Sequence, residues 1–206
     1  DIAIDLADPS GAPFRALADA SSGLAAGDLR MGATYSLVGI VGQRATRKGA
    51  LDGYRVWLRD RADVSAAPGA PSGASPSPSP SAGGSAAPIV TIAAARDLDG
   101  ASAAVEGVVT AGAGLRDAGR RRIVIQDETG GIEVYLPADV AAPSAGTRLR
   151  VAGTVGRAWN APRLRAAQMT VLASSADVAP RVLAGSPGEV LEWQLVRVAG
   201  TVTDVT

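Results

Sequence analysis

The chain has 206 residues, sets 20 Lys and Arg against 20 Asp and Glu, and contains neither His nor Cys. Those counts exclude zinc sites of the usual kind, thiol nucleophiles, imidazole general bases and a disulfide framework. A net charge of zero argues against a strongly basic nucleic-acid wrapper.

Hydrophobic residues make up 47% of the chain but aromatics only 3%, so its cores must be built mostly from small side chains. The length allows one or two domains. No apolar run approaches the roughly 18–20 residues of a membrane-spanning helix. The sequence opens on Asp1-Ile2-Ala3-Ile4, a strand pattern without an initiator Met. It is therefore expected to be a piece of a longer chain, from which a removed export signal is not excluded.

The first strands expected after the opening run from Gly32 to Gly42 and from Tyr54 to Arg59. In the second, alternation puts Arg55, Trp57 and Arg59 on one face and Tyr54, Val56 and Leu58 on the other. Ser65–Pro88 follows. All 24 of its residues are Ala, Ser, Pro or Gly, so it has nothing to bury and is expected to be a disordered spacer. A glycosylated Ser/Pro-rich stalk is the other reading.

The next stretch alternates strand after strand. Val105, Gly107 and Val109 share one face of a first strand, Ile123 and Ile125 of a second, and Ile132, Val134 and Leu136 of a third. Leu149, Val151, Gly153 and Val155 share a face of a fourth, and a fifth runs from Arg163 to Leu172. Thr129-Gly130-Gly131 reads as a tight hairpin in which glycine supplies positive φ. Pro137–Ala145 is the place for a short helix. Five strands with a connector between the third and fourth describe an OB-fold barrel.

Two internal echoes indicate repeats. Gly32–Gly42 aligns without a gap on Gly146–Gly156, with Gly32, Gly39 and Gly42 falling on Gly146, Gly153 and Gly156. Val105-Glu-Gly-Val-Val-Thr110 pairs with Val198-Ala-Gly-Thr-Val-Thr203. The first echo comes from a late strand, the second from an opening strand.

The segment Ile123–Pro137, IVIQDETGGIEVYLP, resembles the second and third strands of bacterial OB-fold domains of the tRNA-anticodon-binding-like type. Those domains read as a V-x-G-x-V-T opening strand, a QD-x-TGG-I-x-VYLP hairpin and a G-x-x-V-x-V-x-G-x-V strand. The three pieces stand at Val105–Thr110, Gln126–Pro137 and Gly146–Val155. The resemblance covers the middle unit in full and the flanks in part. It implies an all-β chain of five-stranded OB-fold barrels in tandem, one complete and two partial, joined by the Ala/Ser/Pro/Gly linker. Residues 1–64 would be a unit lacking its first strand, 65–88 the linker, 89–174 the complete domain and 180–206 the start of a third. The lesser alternative to a third unit is that Val196–Thr203 folds back to fill the gap in the first unit, lying beside Ile2–Leu6 and Tyr35–Val41. The resemblance also implies an exported or surface-attached bacterial protein, in some relatives bearing nuclease or phosphoesterase domains elsewhere.

OB-folds bind ligands on strands two and three, between the one–two and four–five loops. Here the one–two loop carries Arg116, Arg120, Arg121 and Arg122, and the four–five loop carries Arg157, Trp159, Asn160 and Arg163. Tyr135 faces outward on strand three. Cations for phosphates and flat rings for bases are what single-stranded nucleic acid needs. The first unit offers a parallel patch of Arg44, Arg47, Lys48 and Trp57. Against this, Arg is nearly the only base this chain uses, Trp159 serves equally to cover a barrel mouth, and Trp57 to dock a neighbouring barrel. Asp127, Glu128 and Glu133 sit in the same hairpin and repel phosphate.

Catalysis has little to stand on. Asp127 and Glu128 are adjacent, so in a strand they point apart, and no P-loop pattern is present. The expectation is a non-catalytic binding module without cofactor or metal. Its expected ligand is single-stranded DNA or RNA, weakly bound. The alternative is a structural spacer or protein-interaction repeat that contacts neighbouring domains of the same chain.

Overall fold

In the computed structural model, residues 1–45, 51–66, 88–115 and 119–206 are described, with the side chains of 44, 45, 51 and 52 left aside. Twelve strands and one short α-helix lie among them, with four single-turn 3-10 helices in the connections. In chain order they are β1 Ile2–Ala7, β2 Pro13–Ala18, β3 Thr34–Ala45, β4 Leu51–Leu58 and β5 Val64–Ala66. Then come α1 Ile92–Arg96, β6 Ser102–Ala111, β7 Arg122–Gln126, β8 Gly131–Tyr135, β9 Arg148–Ala158 and β10 Ala161–Ala173. β11 Arg181–Leu183 and β12 Leu195–Val205 finish the chain.

The all-β, barrel-type expectation holds. β6, β7, β8, β10 and β9 form a closed barrel in that order. Every pairing in it is antiparallel except β8 with β10, where Val134 stands opposite Leu164. Its core is the alternation read from sequence: Val105, Val109, Ile123, Ile125, Ile132, Val134, Leu149, Val151 and Leu164 are all buried.

The first barrel is closed by the far end of the chain. β1 pairs with β2, β2 runs parallel to β4, and β4 pairs with β3. That leaves one edge open on β1 and one on β3, and β12 fills both. Ile4 stands opposite Val205 on one side, and Leu195 through Thr201 stand opposite Ile40 through Thr34 on the other. Val196, Val198 and Val202 enter a core with Ile4, Leu6, Leu37, Val41, Val56 and Leu58. Burying three such side chains is worth roughly 1.5–3 kcal/mol each. Residues 180–206 thus do not begin a separate third unit here, because their strand belongs to the first barrel. Unpaired edges and an exposed apolar face are costly in any other arrangement.

Register makes the two barrels equivalent strand for strand, β12 matching β6 and β11 matching the segment before α1. β11 runs parallel beside β12, as Ile89 bridges in parallel to Ala104 beside β6.

The echoed glycines have backbone reasons. Gly32 and Gly146 both have φ near +80° (76° and 85°), which glycine alone adopts freely. Gly39 and Gly153 lie where β3 and β9 press on the next strand, so an added Cβ would run into the carbonyls of Trp57 and Arg165 respectively.

Three local expectations are corrected. Pro137–Ala145 forms turns, and the one described α-helix is α1, ahead of the opening strand. Pro143 stands within that stretch without an N–H to give a helix. Gly130 and Gly131 are not at positive φ, because Asp127 builds the turn instead. Ser65 and Ala66, assigned to the linker, pair in β5 with Ser36 and Tyr35. The remaining linker, 67–87, lies outside the described residues.

Replacing Gly153 with Ala should therefore destabilise the chain by about 1–3 kcal/mol, as overpacking does. Replacing Gly156, which has open space around it, should be close to neutral. Denaturant midpoints of the two variants, measured side by side, check this.

Candidate nucleic-acid interface

The outward face of β7 and β8 is the surface expected to meet a ligand. In the structure part of it, Val124, Gln126 and Gly131, meets the other barrel. Val124 of β7 packs with Ala111 and Leu115 against Leu17, Ile40, Trp57, Trp193 and Leu195. Trp57 is only 9% exposed and Trp193 4%. Trp57 is therefore a docking residue and not an open platform for a base, which corrects that assignment.

Polar contacts fix the docking. The Gln126 side-chain oxygen accepts from the Leu195 amide at 2.8 Å. Arg96 Nη1 donates to the carbonyls of Gly131 at 3.2 Å and Glu192 at 3.0 Å. Arg59 Nη1 reaches the Thr110 carbonyl at 2.9 Å while its guanidinium is held by Asp63 at 2.6 Å. Gly131 is a glycine because the Trp193 carbonyl lies where its Cβ would be.

Asp127 accepts from Thr129 N (2.7 Å) and Gly130 N (2.9 Å), and from Ile92 N (2.8 Å) at the start of α1. Asp8, its counterpart in the first barrel, accepts from Ser10 N (2.8 Å) and Ala12 N (2.9 Å). These bonds hold its carboxyl below the usual carboxylate range, the Ser10 hydroxyl contributing most. The hairpin motif thus folds the turn and seats a neighbour. Sequence reading missed Gln126, Gly131 and Trp193 as interface residues, although the first two stand inside the quoted motif.

The remaining assigned residues spread around the edge. Arg47, Lys48 and Arg116 lie outside the described residues, as does the Arg44 side chain. Arg120 is exposed, with φ 53°, and Arg122 opens β7 at the rim. Tyr135 is half-buried and already carries cations: the Arg121 guanidinium stands 4.5 Å and that of Arg163 5.6 Å from its ring centroid. Arg121 also donates to the Leu136 carbonyl at 2.9 Å. Arg163 is ion-paired with Glu133, which is 4% exposed. Removing one partner of such a pair leaves an uncompensated buried charge.

Trp159 and Asn160 do not lie in a long loop. Ala158 pairs with Ala161, so these two residues are the whole turn between β9 and β10, at φ 55° and 67°. Positive φ at both central residues marks a type I′ hairpin. Asn tolerates that conformation, whereas for Trp it is strained. Trp159 is 74% exposed, so it does not cover the barrel mouth. Arg157 donates to the Asn160 carbonyl at 3.0 Å and lies 3.8 Å from Asp99.

On the first barrel, the part of the matching face that the neighbour leaves uncovered is an open cleft of about 350 Å³, lined by Asp5, Phe14, Arg15, Tyr54, Arg55 and Thr203 among others. Arg15 Nη2 donates to Asp5 at 2.6 Å. The Arg15 hydrogen bond, the largest influence, outweighs desolvation and holds the Asp5 carboxyl below its usual range. Burial, aided by Glu192 and Glu189, pushes the Tyr54 hydroxyl up to about 12.

Among the described residues no group of three or more acidic, His or Cys side chains is placed to hold a metal, and no helix is long and apolar enough to cross a membrane.

No family model matches the chain, and no curated protein matches it. Among solved structures it is similar to the hypothetical protein ygiW from E. coli, at 20% identity and a TM-score of 0.34, over 44% of this chain and all of that one. Likeness at that level carries no functional argument.

Two outcomes are expected. Arg15→Ala should raise the Asp5 pKa toward 3.8, its ordinary value, as read by carboxyl NMR titration. Because the folded value is depressed, the pair stabilises the fold above the ordinary pKa, and that stability is lost as pH falls through the folded value. The variant should therefore show less acid dependence of stability below pH 4. Gly131→Ala should part the barrels locally. Trp emission should shift to the red as Trp57 and Trp193 lose cover, with Trp159 a constant exposed background.

Proposed function

We propose that this chain is a non-catalytic spacer and interaction module of two OB-fold barrels, in which the usual ligand face of one barrel seats the other. The observation that carries the reading is the burial of Val124, Trp57 and Trp193 between the barrels. Strand order supports the OB-fold assignment: each barrel closes with its third and fifth strands parallel and its first between the second and fourth. The motif resemblance and the Ala/Ser/Pro/Gly linker favour a place in an exported bacterial protein, beside other domains.

Charge pairing supports the same reading. Asp5 with Arg15, Asp63 with Arg59, Asp28 with Arg61, Glu106 with Arg148 and Arg150, and Glu133 with Arg163 are ion pairs. Neutrality is thus achieved locally, and such pairing weakens the positive field that draws in phosphates.

A second reading, weak binding of single-stranded nucleic acid, keeps one specific observation in its favour. An exposed, backbone-strained Trp159 on the hairpin tip beside Arg157 is a ring on which a base can stack, worth roughly 1–3 kcal/mol.

Fluorescence polarisation with labelled single-stranded DNA and RNA separates the two, at about 50 and 200 mM salt. The spacer reading expects no change in polarisation at either. Binding that weakens with salt, and weakens further in Trp159→Ala and Arg120→Ala, overturns it in favour of the second. Both side chains are exposed, so the substitutions leave the core alone.

A further inference from the structure

We propose that residues 1–66 form a strand-acceptor lobe, and that its partner is a second copy of this chain, which donates Leu195–Val205. Three observations carry this.

The lobe is incomplete by itself. Without β12, both β1 and β3 end in unpaired backbone, and Ile4, Leu6 and Leu37, now fully buried, lose the cover of Val196, Val198 and Val202. Such edges recruit strands.

The filling strand is not local. It is joined to the lobe only through the whole second barrel, whereas β6, its counterpart, leads directly to the strand it pairs with. The contacts that close the first barrel on β12 run between residues 1–66 and residues 88–206, while the Gln126–Leu195, Arg96–Glu192 and Gly131–Trp193 contacts lie within 88–206 and travel with the donated strand. The β12 pairings, the Arg59 bond to Thr110 and the apolar cluster around Trp57 all bridge the two ranges. A 1–66 lobe from one copy and an 88–206 lobe from another make the same contacts atom for atom. Only chain connectivity differs, so protein concentration relative to the intramolecular effective concentration sets the balance.

The slot is selective. Gly200 of β12 lies against the Phe14 ring, where an added Cβ would stand 2.8 Å from Cε1 and Cζ, and 3.1 Å from the Ala7 carbonyl. Gly107 sits the same way: a Cβ added there would stand 3.1 Å from the carbonyl of Gln126, the residue equivalent to Ala7. The slot therefore reads the V-x-G-x-V-T pattern, which both opening strands carry.

The absence of Cys gives a clean test. Thr34 of β3 faces Thr201 of β12, with hydroxyl oxygens 2.9 Å apart. Full-length Thr34→Cys and Thr201→Cys variants are mixed, unfolded and refolded together over a series of protein concentrations, then oxidised. Disulfide-linked dimer is counted by intact mass. Ser36→Cys with Ala199→Cys, a second facing pair, runs in parallel. The control is Thr201→Cys with Asp139→Cys, an exposed position on the other barrel. Exchange predicts a linked dimer at least tenfold above the control, rising with concentration. Linked dimer at control level for both facing pairs, while the corresponding double variants close their internal disulfides, overturns the proposal.

Discussion

The structure depends on one backbone requirement: the open edges of β1 and β3 need a strand between them. Pairing Leu195–Thr201 against Thr34–Ile40 meets it, and much else follows. The approach to β12 passes through Glu192, Trp193 and Gln194, and that segment is held between the barrels. The Trp193 N–H donates to the Val41 carbonyl of the first barrel at 2.8 Å, while its own carbonyl rests on Gly131 of the second. Closing the first barrel and seating it on the second are therefore one event, carried by a single stretch of chain. Losing the docking exposes Trp57 and Trp193, and losing β12 opens a core.

That coupling also covers part of the β7–β8 face. A face that binds nucleic acid keeps rings and cations open to solvent. Here Val124 is in the interface, Gln126 accepts a backbone amide, Glu133 is buried against Arg163, and Tyr135 lies under two guanidiniums. Each of these four side chains has a protein partner. Among the described residues, the Trp159 tip and Arg120 stay open to solvent.

Much of the fold was legible because backbone geometry leaves marks on sequence. Gly32 and Gly146 mark the same positive-φ turn, and Gly39 and Gly153 the same close approach. Alternation identified the core of the second barrel, since its strands have one buried face. The V-x-G-x-V-T echo marked β12 as an opening strand but assigned it to a third unit; its slot in the first barrel shows only in the pairing with β1 and β3. Interface residues were less legible. Trp57 between two Arg residues has the pattern of a base platform and of a docking surface alike, and only the neighbour distinguishes them. Gly131 was misread for a local reason: it serves a carbonyl from a distant segment, which hairpin chemistry does not encode. The Trp159-Asn160 turn was hidden because Trp is a poor residue for positive φ, so nothing announced a two-residue hairpin.

Placing the barrels in common register shows where individuality lies. Asp5, Arg15, Leu17, Arg55 and Trp57 occupy the positions of Val124, Glu133, Tyr135, Arg163 and Arg165. The scaffold glycines and the turn-building carboxylates Asp8 and Asp127 are shared, yet of these five outward positions only one keeps its residue type. Even there the partner differs: Arg163 is paired with Glu133, whereas the Glu133 position in the first barrel is itself a base, Arg15, paired with Asp5. The acid has moved from one strand to its neighbour while the cross-strand charge balance is kept. A backbone held constant by glycine and turn chemistry, with its outer face free to change, allows similar barrels to be stacked in one chain and still dock in a single arrangement. In that design the apolar members of the face, Leu17, Trp57 and Val124, set which barrel meets which. The polar remainder, the Asp5–Arg15 pair lining a cleft with the buried Arg55 beside it, is the part left facing solvent.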